Sequence, residues 1–272
     1  MTKTEAIDFY PERIVCLTEE STELLYLLGE EDRIVGVSGF TVRPAGVRKV
    51  KPTISTFLDA RIDKIKELNP DLVIGFSDLQ ATIAKELIEE GITVWINNHR
   101  SVQDILKMMV QLGTLVGRGS EVLNLVRQIQ ATIEQVQQAV NQWPRKPQAY
   151  FEEWYDPLIS GIQWVSELIE LAGGQDIFPE HRGASLAKNR IIEDPQEVVA
   201  RNPDVILASW CGKMFKKDRM LARPHWSSIA AIQTDEVYEV PSDIILQPGP
   251  AALMEGLPIL HKHFQNWVET YG

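Results

Sequence analysis

The sequence predicts an α/β protein of two similar lobes, each a parallel sheet covered by helices, joined by a single long helix. Three observations predict it. A short phrase occurs twice, first as Asp63-Lys-Ile-Lys-Glu-Leu-Asn69-Pro70-Asp71-Leu-Val-Ile-Gly-Phe76 and then as Gln196-Glu-Val-Val-Ala-Arg-Asn202-Pro203-Asp204-Val-Ile-Leu-Ala, 133 positions apart. In each copy an amphipathic helix stops at Asn-Pro, because proline bars the residue before it from helical geometry. The apolar run that follows suits a strand buried on both faces, and such strands belong to parallel sheets between helices. A second phrase, Thr22-Glu-Leu-Leu-Tyr-Leu-Leu-Gly29, returns as Ser166-Glu-Leu-Ile-Glu-Leu-Ala-Gly173, 144 positions on. Finally, Val122, Val126, Ile129, Ile133, Val136 and Val140 recur at helical spacing between Gly119 and Trp143. A helix of that length reaches roughly 36 Å, enough to pass from one lobe to another. The expected division is therefore residues 1–117, a connecting helix over 118–144, and residues 145–272.

In chain order, Arg13-Ile-Val-Cys-Leu17 is a buried strand and Leu24 to Leu28 a helix closed by Gly29, with Ser21 or Thr22 as its cap. Ile34 to Ser38 is the next strand, leading to a loop with Phe40, Arg43 and Pro44. After the loop holding Phe57 and the first Asn-Pro-Asp unit, a helix is expected over 79–90, a strand over 93–96 and a helix over 101–116. Pro144 and Pro147 end the long helix. Ala149 to Glu152 then reads as a strand, Glu153 to Pro157 as a loop, and Ser166 to Gly173 as a helix. A loop over 175–190, the second Asn-Pro-Asp unit, a strand over 236–240, a loop over 241–250 and a terminal helix complete the pattern.

Composition narrows the function. With 272 residues, 44% hydrophobic and 24% charged, the chain has material for two domains. Its net charge of −11 weighs against nucleic acid or an anionic membrane as partner. No run of about 18 apolar residues is present to span a bilayer. The first eleven residues lack the apolar segment of a signal peptide, so a cytoplasmic location is expected for the sequence as written, and a periplasmic or cell-surface one if a leader has been removed. Two distant cysteines, Cys16 and Cys211, read as reduced thiols.

Ligands of open parallel sheets collect at the carboxyl ends of the strands. Those ends supply Glu19, Glu20, Phe40 and Phe76 in the first lobe. In the second they supply Trp154 with Glu153 and Tyr155, Trp210 with Cys211, and the stretch Asp243 to Gln247. Phe57 and Arg190 stand in loops near the repeated units. With the lobes facing one another these residues line a cleft of aromatics with few polar groups, suited to a large, flat, partly polar ligand. Core packing is the competing role for each aromatic, a favourable helix entrance for Glu19 and Glu20, and a surface charge for Arg190. The five histidines show no metal-ligand spacing, since His261 and His263 face different sides of one helix and His99, His181 and His225 are isolated. No phosphate loop, zinc cluster or nucleophile elbow is present.

The stretch Arg13 to Leu25, the loop after Ser38, both Asn-Pro-Asp units, Trp164-Val-Ser-Glu-Leu-Ile-Glu-Leu-Ala-Gly-Gly174 and Gln247-Pro-Gly-Pro250 together resemble the class III substrate-binding proteins of ABC importers. That family carries iron chelates, haem and cobalamin, and the sequence is most similar to its cobalamin-binding branch. The resemblance implies two Rossmann-like lobes joined by one long helix and a non-catalytic role. It places corrinoid-lining aromatics at Phe40, Phe57 and Phe76, polar contacts at Asp243 and Gln247, and a position that is tryptophan in the periplasmic cobalamin binder at Arg190. Acidic residues that meet permease arginines fall on Asp63 and on Gln196, the latter uncharged with Glu197 beside it. The expected ligand is cobalamin or a related corrinoid. Haem or a ferric siderophore is the alternative within the same role. A tetrapyrrole-metal enzyme is the alternative outside it, and would need a pair such as His99 or His181 with Glu20 or Glu153.

Overall fold

A computed structural model of the chain describes residues 9–56 and 59–272, so the expected site residue Phe57 lies outside the described residues. These residues fall into two compact units, the first comprising residues up to His99 with Leu106–Val126, the second Arg100–Ile105 with Arg127–Gly272. Both long helices of the middle of the chain, α5 (Val102–Leu115) and α6 (Gly119–Val140) when numbered in chain order, contain the boundary.

The first unit begins with β1 (Ile14–Cys16), α1 (Glu19–Leu27), β2 (Ile34–Ser38), α2 (Val47–Val50) and β3 (Thr53–Ser55). It continues with α3 (Ile62–Glu67), β4 (Leu72–Phe76), α4 (Ala81–Glu89) and β5 (Val94–Asn97). Its five strands lie in the order β3-β2-β1-β4-β5, all parallel, so the strand order reverses between β1 and β4. Val15, Leu17 and Val73 are wholly buried and pack with Ile54, Ile65, Ile83 and Leu87 from the flanking elements, as double-faced burial of a parallel sheet requires.

The second unit holds β6 (Gln148–Tyr155), β7 (Leu158–Ser160), α7 (Gln163–Ala172), β8 (Gln175–Asp176), β9 (Ile191–Ile192), α8 (Gln196–Arg201) and β10 (Val205–Ala208). It closes with α9 (Lys217–Leu221), α10 (Ala230–Gln233), β11 (Val237–Glu239), α11 (Ser242–Ile245), a π-helical turn over Ala252–Gly256 and α12 (Leu257–Tyr271). Its sheet runs β11-β10-β6-β7-β9, with β8 beside the start of β6. β10 and β11 are parallel to β6, but β7 is antiparallel, because Asp156 and Pro157 alone connect it to β6 and a parallel return needs a crossover. The expected loop at Glu153 to Tyr155 is therefore the end of a strand. Gly173 ends α7 at φ +102, and a Cβ there would come within 2.2 Å of the Trp143 ring, so only glycine suits the position. Among the described residues no helix is long and apolar enough to cross a membrane.

The repeated phrase does one structural job twice. Asn69 and Asn202 both take φ +46, which ends α3 and α8 in the left-handed conformation that asparagine tolerates. The aspartate two residues on then clamps the start of the central strand. The Asp71 amide donates to the Arg13 carbonyl at 3.0 Å while the Asp71 carboxylate accepts from the Arg13 amide at 3.0 Å. In the second unit the Asp204 amide donates to the Gln148 carbonyl at 2.8 Å and its carboxylate accepts from the Gln148 amide at 2.9 Å. One expectation is corrected: α1 starts at Glu19, and the Ser21 and Thr22 hydroxyls donate back to the Thr18 carbonyl at 3.1 and 3.2 Å rather than capping the helix.

Asp204 also accepts both bonds of Arg145 Nη2 at 2.9 Å, and replacing it leaves the Gln148 amide without its acceptor. Asp204→Ala should lower the stability of the chain by about 1–3 kcal/mol, and the more exposed Asp71→Ala by less, as read from urea denaturation midpoints.

Candidate functional site

At the strand-order reversal of the first unit, β1 and β4 deliver Glu19, Glu20 and Phe76, and all three are buried, at 4%, 3% and 5% exposure. The Glu19 carboxylate accepts from the backbone amides of Val42 and Arg43 at 2.7 and 2.8 Å, and Glu23 accepts from Arg43 Nε at 2.8 Å. Glu19 thus ties down the loop after β2, a role that spacing alone did not reveal. Glu20 accepts from the Thr18 hydroxyl at 2.6 Å, and burial pushes its carboxyl up to about 7. The Phe76 ring lies 4.9 Å from that of His99, which is itself buried. Gln80 joins the group by accepting from the Phe76 amide at 2.8 Å, an approach that Gly75 permits, since a Cβ there would lie 2.6 Å from Gln80 Oε1. Phe40, by contrast, is 61% exposed just after β2.

In the second unit the carboxyl ends of β6 and β10 carry two carboxylate–arginine pairs. Glu152 is fully buried and accepts from Arg223 at 2.5 and 2.9 Å and from the Trp210 indole at 2.9 Å. A β-bulge follows Glu152 and re-aims the strand. Glu153 then takes a bidentate pair with Arg190 at 2.6 and 2.9 Å, and Arg190 also donates to the Ser160 carbonyl. At 1% exposure with these bonds made, Arg190 is a buried strut where the sequence suggested an open loop position. Trp210, 3% exposed, is likewise corrected from a cleft-facing ring to a packed one.

Around Trp210 a continuous aromatic group forms. Tyr155 lies 4.4 Å from it, Trp154 lies 4.9 Å from Tyr155, and Phe215 lies 5.1 Å from Trp210. Trp154 and Tyr155 are half-exposed. Arg219 stacks 4.1 Å from the Tyr155 ring centre and Lys213 Nζ sits 5.0 Å from that of Trp154. Lys213 also donates to the Tyr155 hydroxyl at 3.1 Å, which holds the phenol below its usual value of 10. Lys213, Arg219 and Arg223 were missed from sequence. The available signal was the five basic residues against one acidic residue in Cys211–Arg223, within a chain of net charge −11.

Asp243 stands in the first turn of α11 and Gln247 just beyond it, both half-buried. Their segment is anchored by the Trp164 indole, which donates to the Ile245 carbonyl at 2.9 Å. Asp63, Gln196 and Glu197 are exposed at the starts of α3 and α8, with Glu197 paired to Arg201 at 3.2 Å. Three other histidines are engaged locally, His181 with the Ser160 hydroxyl at 2.8 Å, His261 with the Ala172 carbonyl at 2.9 Å and His263 stacked 3.9 Å from the Tyr238 ring. Among the described residues no group of three His, Cys, Asp or Glu side chains is placed to hold a metal ion.

Two consequences are measurable. Glu20 in the folded chain keeps its proton up to about 7, against a reference value of 4.5. Folding therefore loses stability as pH rises through that window, on the order of a few kcal/mol in total. Glu20→Gln should flatten that decline in denaturation midpoints taken from pH 4.5 to 8. Phe76→Ala and Trp210→Ala should each cost about 3–5 kcal/mol of stability in urea titrations, because both rings are packed.

The comparisons with known proteins agree with this architecture. A family model described as periplasmic binding protein matches residues 14–244. An uncharacterised ABC transporter substrate-binding lipoprotein of Bacillus subtilis is 26% identical over 266 residues, covering 91% of this chain and 78% of that protein. A vitamin B12-binding protein of Vibrio parahaemolyticus is 23% identical over 259 residues, covering 94% of this chain and 90% of that one. The solved structure of the periplasmic haem-binding protein RhuT from Roseiflexus, in its apo form, superposes with a TM-score of 0.80 at 22% identity, covering 94% of this chain and 99% of that one. The chain belongs to the periplasmic binding protein family.

Proposed function

We propose that this protein is a non-catalytic receptor for a large, flat, metal-chelating macrocycle, with cobalamin or a related corrinoid as the ligand. The observation that carries this reading is the half-exposed aromatic surface of Trp154 and Tyr155, backed by Trp210 and Phe215 at the carboxyl ends of β6 and β10. Rings held in this way offer stacking area to a planar ligand at little cost in side-chain freedom. Phe40 adds an exposed ring at the corresponding end of the first sheet. On this reading Asp243 and Gln247 bond the amide edge of a corrinoid. The curated vitamin B12-binding relatives, matched over nearly the whole chain, support the choice. On the same reading Asp63 and Glu197, at the starts of exposed helices, meet basic residues of a membrane permease, as the substrate-binding lipoprotein relative suggests.

A second reading, haem or an iron chelate, is favoured by one observation. The exposed cations Lys213 and Arg219 lie over the same aromatic surface, and they suit a ligand edged with carboxylates better than one edged with amides.

Gel filtration of the purified chain after incubation with hydroxocobalamin, haemin or a ferric siderophore separates the readings. The corrinoid should be retained, and Trp154→Ala or Tyr155→Ala should weaken it about three- to tenfold. Loss of all corrinoid absorbance on the column overturns the first reading, and retention of haemin in its place establishes the second.

A further inference from the structure

The first unit has a cavity of about 390 Å³ in the loop that follows β2, lined by Gly39, Thr41, Gly46, Arg48, Lys49 and Thr53 among others. Among the described residues no acidic one lines it. The whole stretch from Ile34 to Leu58 holds four basic residues and no acidic one, in a chain of net charge −11. Arg43 is paired with Glu23. Arg48 donates only to the Gly39 carbonyl, at 2.7 Å, and Lys49 has no partner among the described residues. Two cations therefore border the cavity without a carboxylate to balance them. In its wall Thr41 is fully buried, and its hydroxyl makes no hydrogen bond among the described residues. Neither the aromatic surface of the second unit nor the buried group around Phe76 accounts for this combination.

We propose that this cavity is an oxyanion site, in which Arg48 and Lys49 hold a phosphate group. Guanidinium and ammonium donors suit a tetrahedral oxyanion, Arg48 as a directed fork and Lys49 as a point charge. The phosphate is either free or carried by the ligand, as in the phosphodiester of a corrinoid nucleotide. The second source rests on the function proposed above, and the first does not.

Titrating the ¹⁵N-labelled full chain with inorganic phosphate, at ionic strength held constant with sodium chloride, should move the amides of Gly39, Thr41, Gly46 and Thr53 saturably. Lys49→Gln alters an exposed side chain with no hydrogen bond or ion pair among the described residues and should weaken that binding about tenfold. Arg48→Gln should weaken it further. Saturable shifts lost in Lys49→Gln establish a site for free phosphate. Shifts that persist unchanged in Lys49→Gln overturn the proposal. If phosphate alone moves nothing, the ligand-borne source predicts that Lys49→Gln weakens cobalamin and spares cobinamide, which lacks the phosphodiester. Equal effects on the two corrinoids then overturn the proposal. Failure to bind either corrinoid sinks the receptor reading while leaving the phosphate titration to decide the site.

Discussion

Each sheet is held in register by one aspartate. A parallel strand cannot be aligned by a hairpin, because its neighbour arrives from a distant part of the chain. Asp71 and Asp204 supply the missing reference by exchanging bonds with both backbone groups of Arg13, just before β1, and of Gln148, the first residue of β6. A one-residue slip would break these bonds and would turn every side chain of the strand to the other face. Everything at the carboxyl ends depends on that alignment. It decides that Glu19 reaches the Val42 and Arg43 amides, and that Glu152 and Glu153 reach their arginines.

The carboxyl ends are stiffened by polar groups as much as by packing. Removing charges from water is expensive, and a buried pair offsets that cost only when its geometry is complete. Glu152 meets this condition with Arg223, Trp210 and Tyr150 around one carboxylate. Glu153 meets it with a two-bond pair to Arg190. Such pairs are weak evidence of net stability, yet they hold Trp210 and the adjoining Tyr155 in one arrangement. A receptor for a rigid ring gains from that arrangement, since a surface ordered in advance loses little freedom on binding.

Charge is distributed unevenly. The chain is acidic overall, while the loop after β2 and the segment after β10 are both basic. Both stretches follow strands at their carboxyl ends, where ligands of open parallel sheets collect. Their cations also differ in use. Arg223 is committed to Glu152, and Arg43 to Glu23, whereas Lys49 is left without a partner among the described residues. Only the unbalanced ones are free to meet an anion.

The sequence by itself determined the two-unit α/β plan, because strands buried on both faces leave unbroken apolar runs and Asn-Pro marks where the helices must stop. It also indicated the family, through phrases spread over nearly the whole chain. It did not determine which strand-end residues face outward. Phe76, Trp210 and Arg190 follow or adjoin strands just as Phe40 does, yet the first three are buried and Phe40 is open. Burial depends on which elements pack above a residue, and local spacing carries no record of that. The antiparallel turn at Asp156 and Pro157 lengthened β6 and so moved Trp154 and Tyr155 from an expected loop onto a strand edge. The partners of Glu19, Glu153 and Glu152, 23, 37 and 71 positions away, were decided by the tertiary structure alone, because hydrogen bonds between distant segments exist only once the sheet has brought them together.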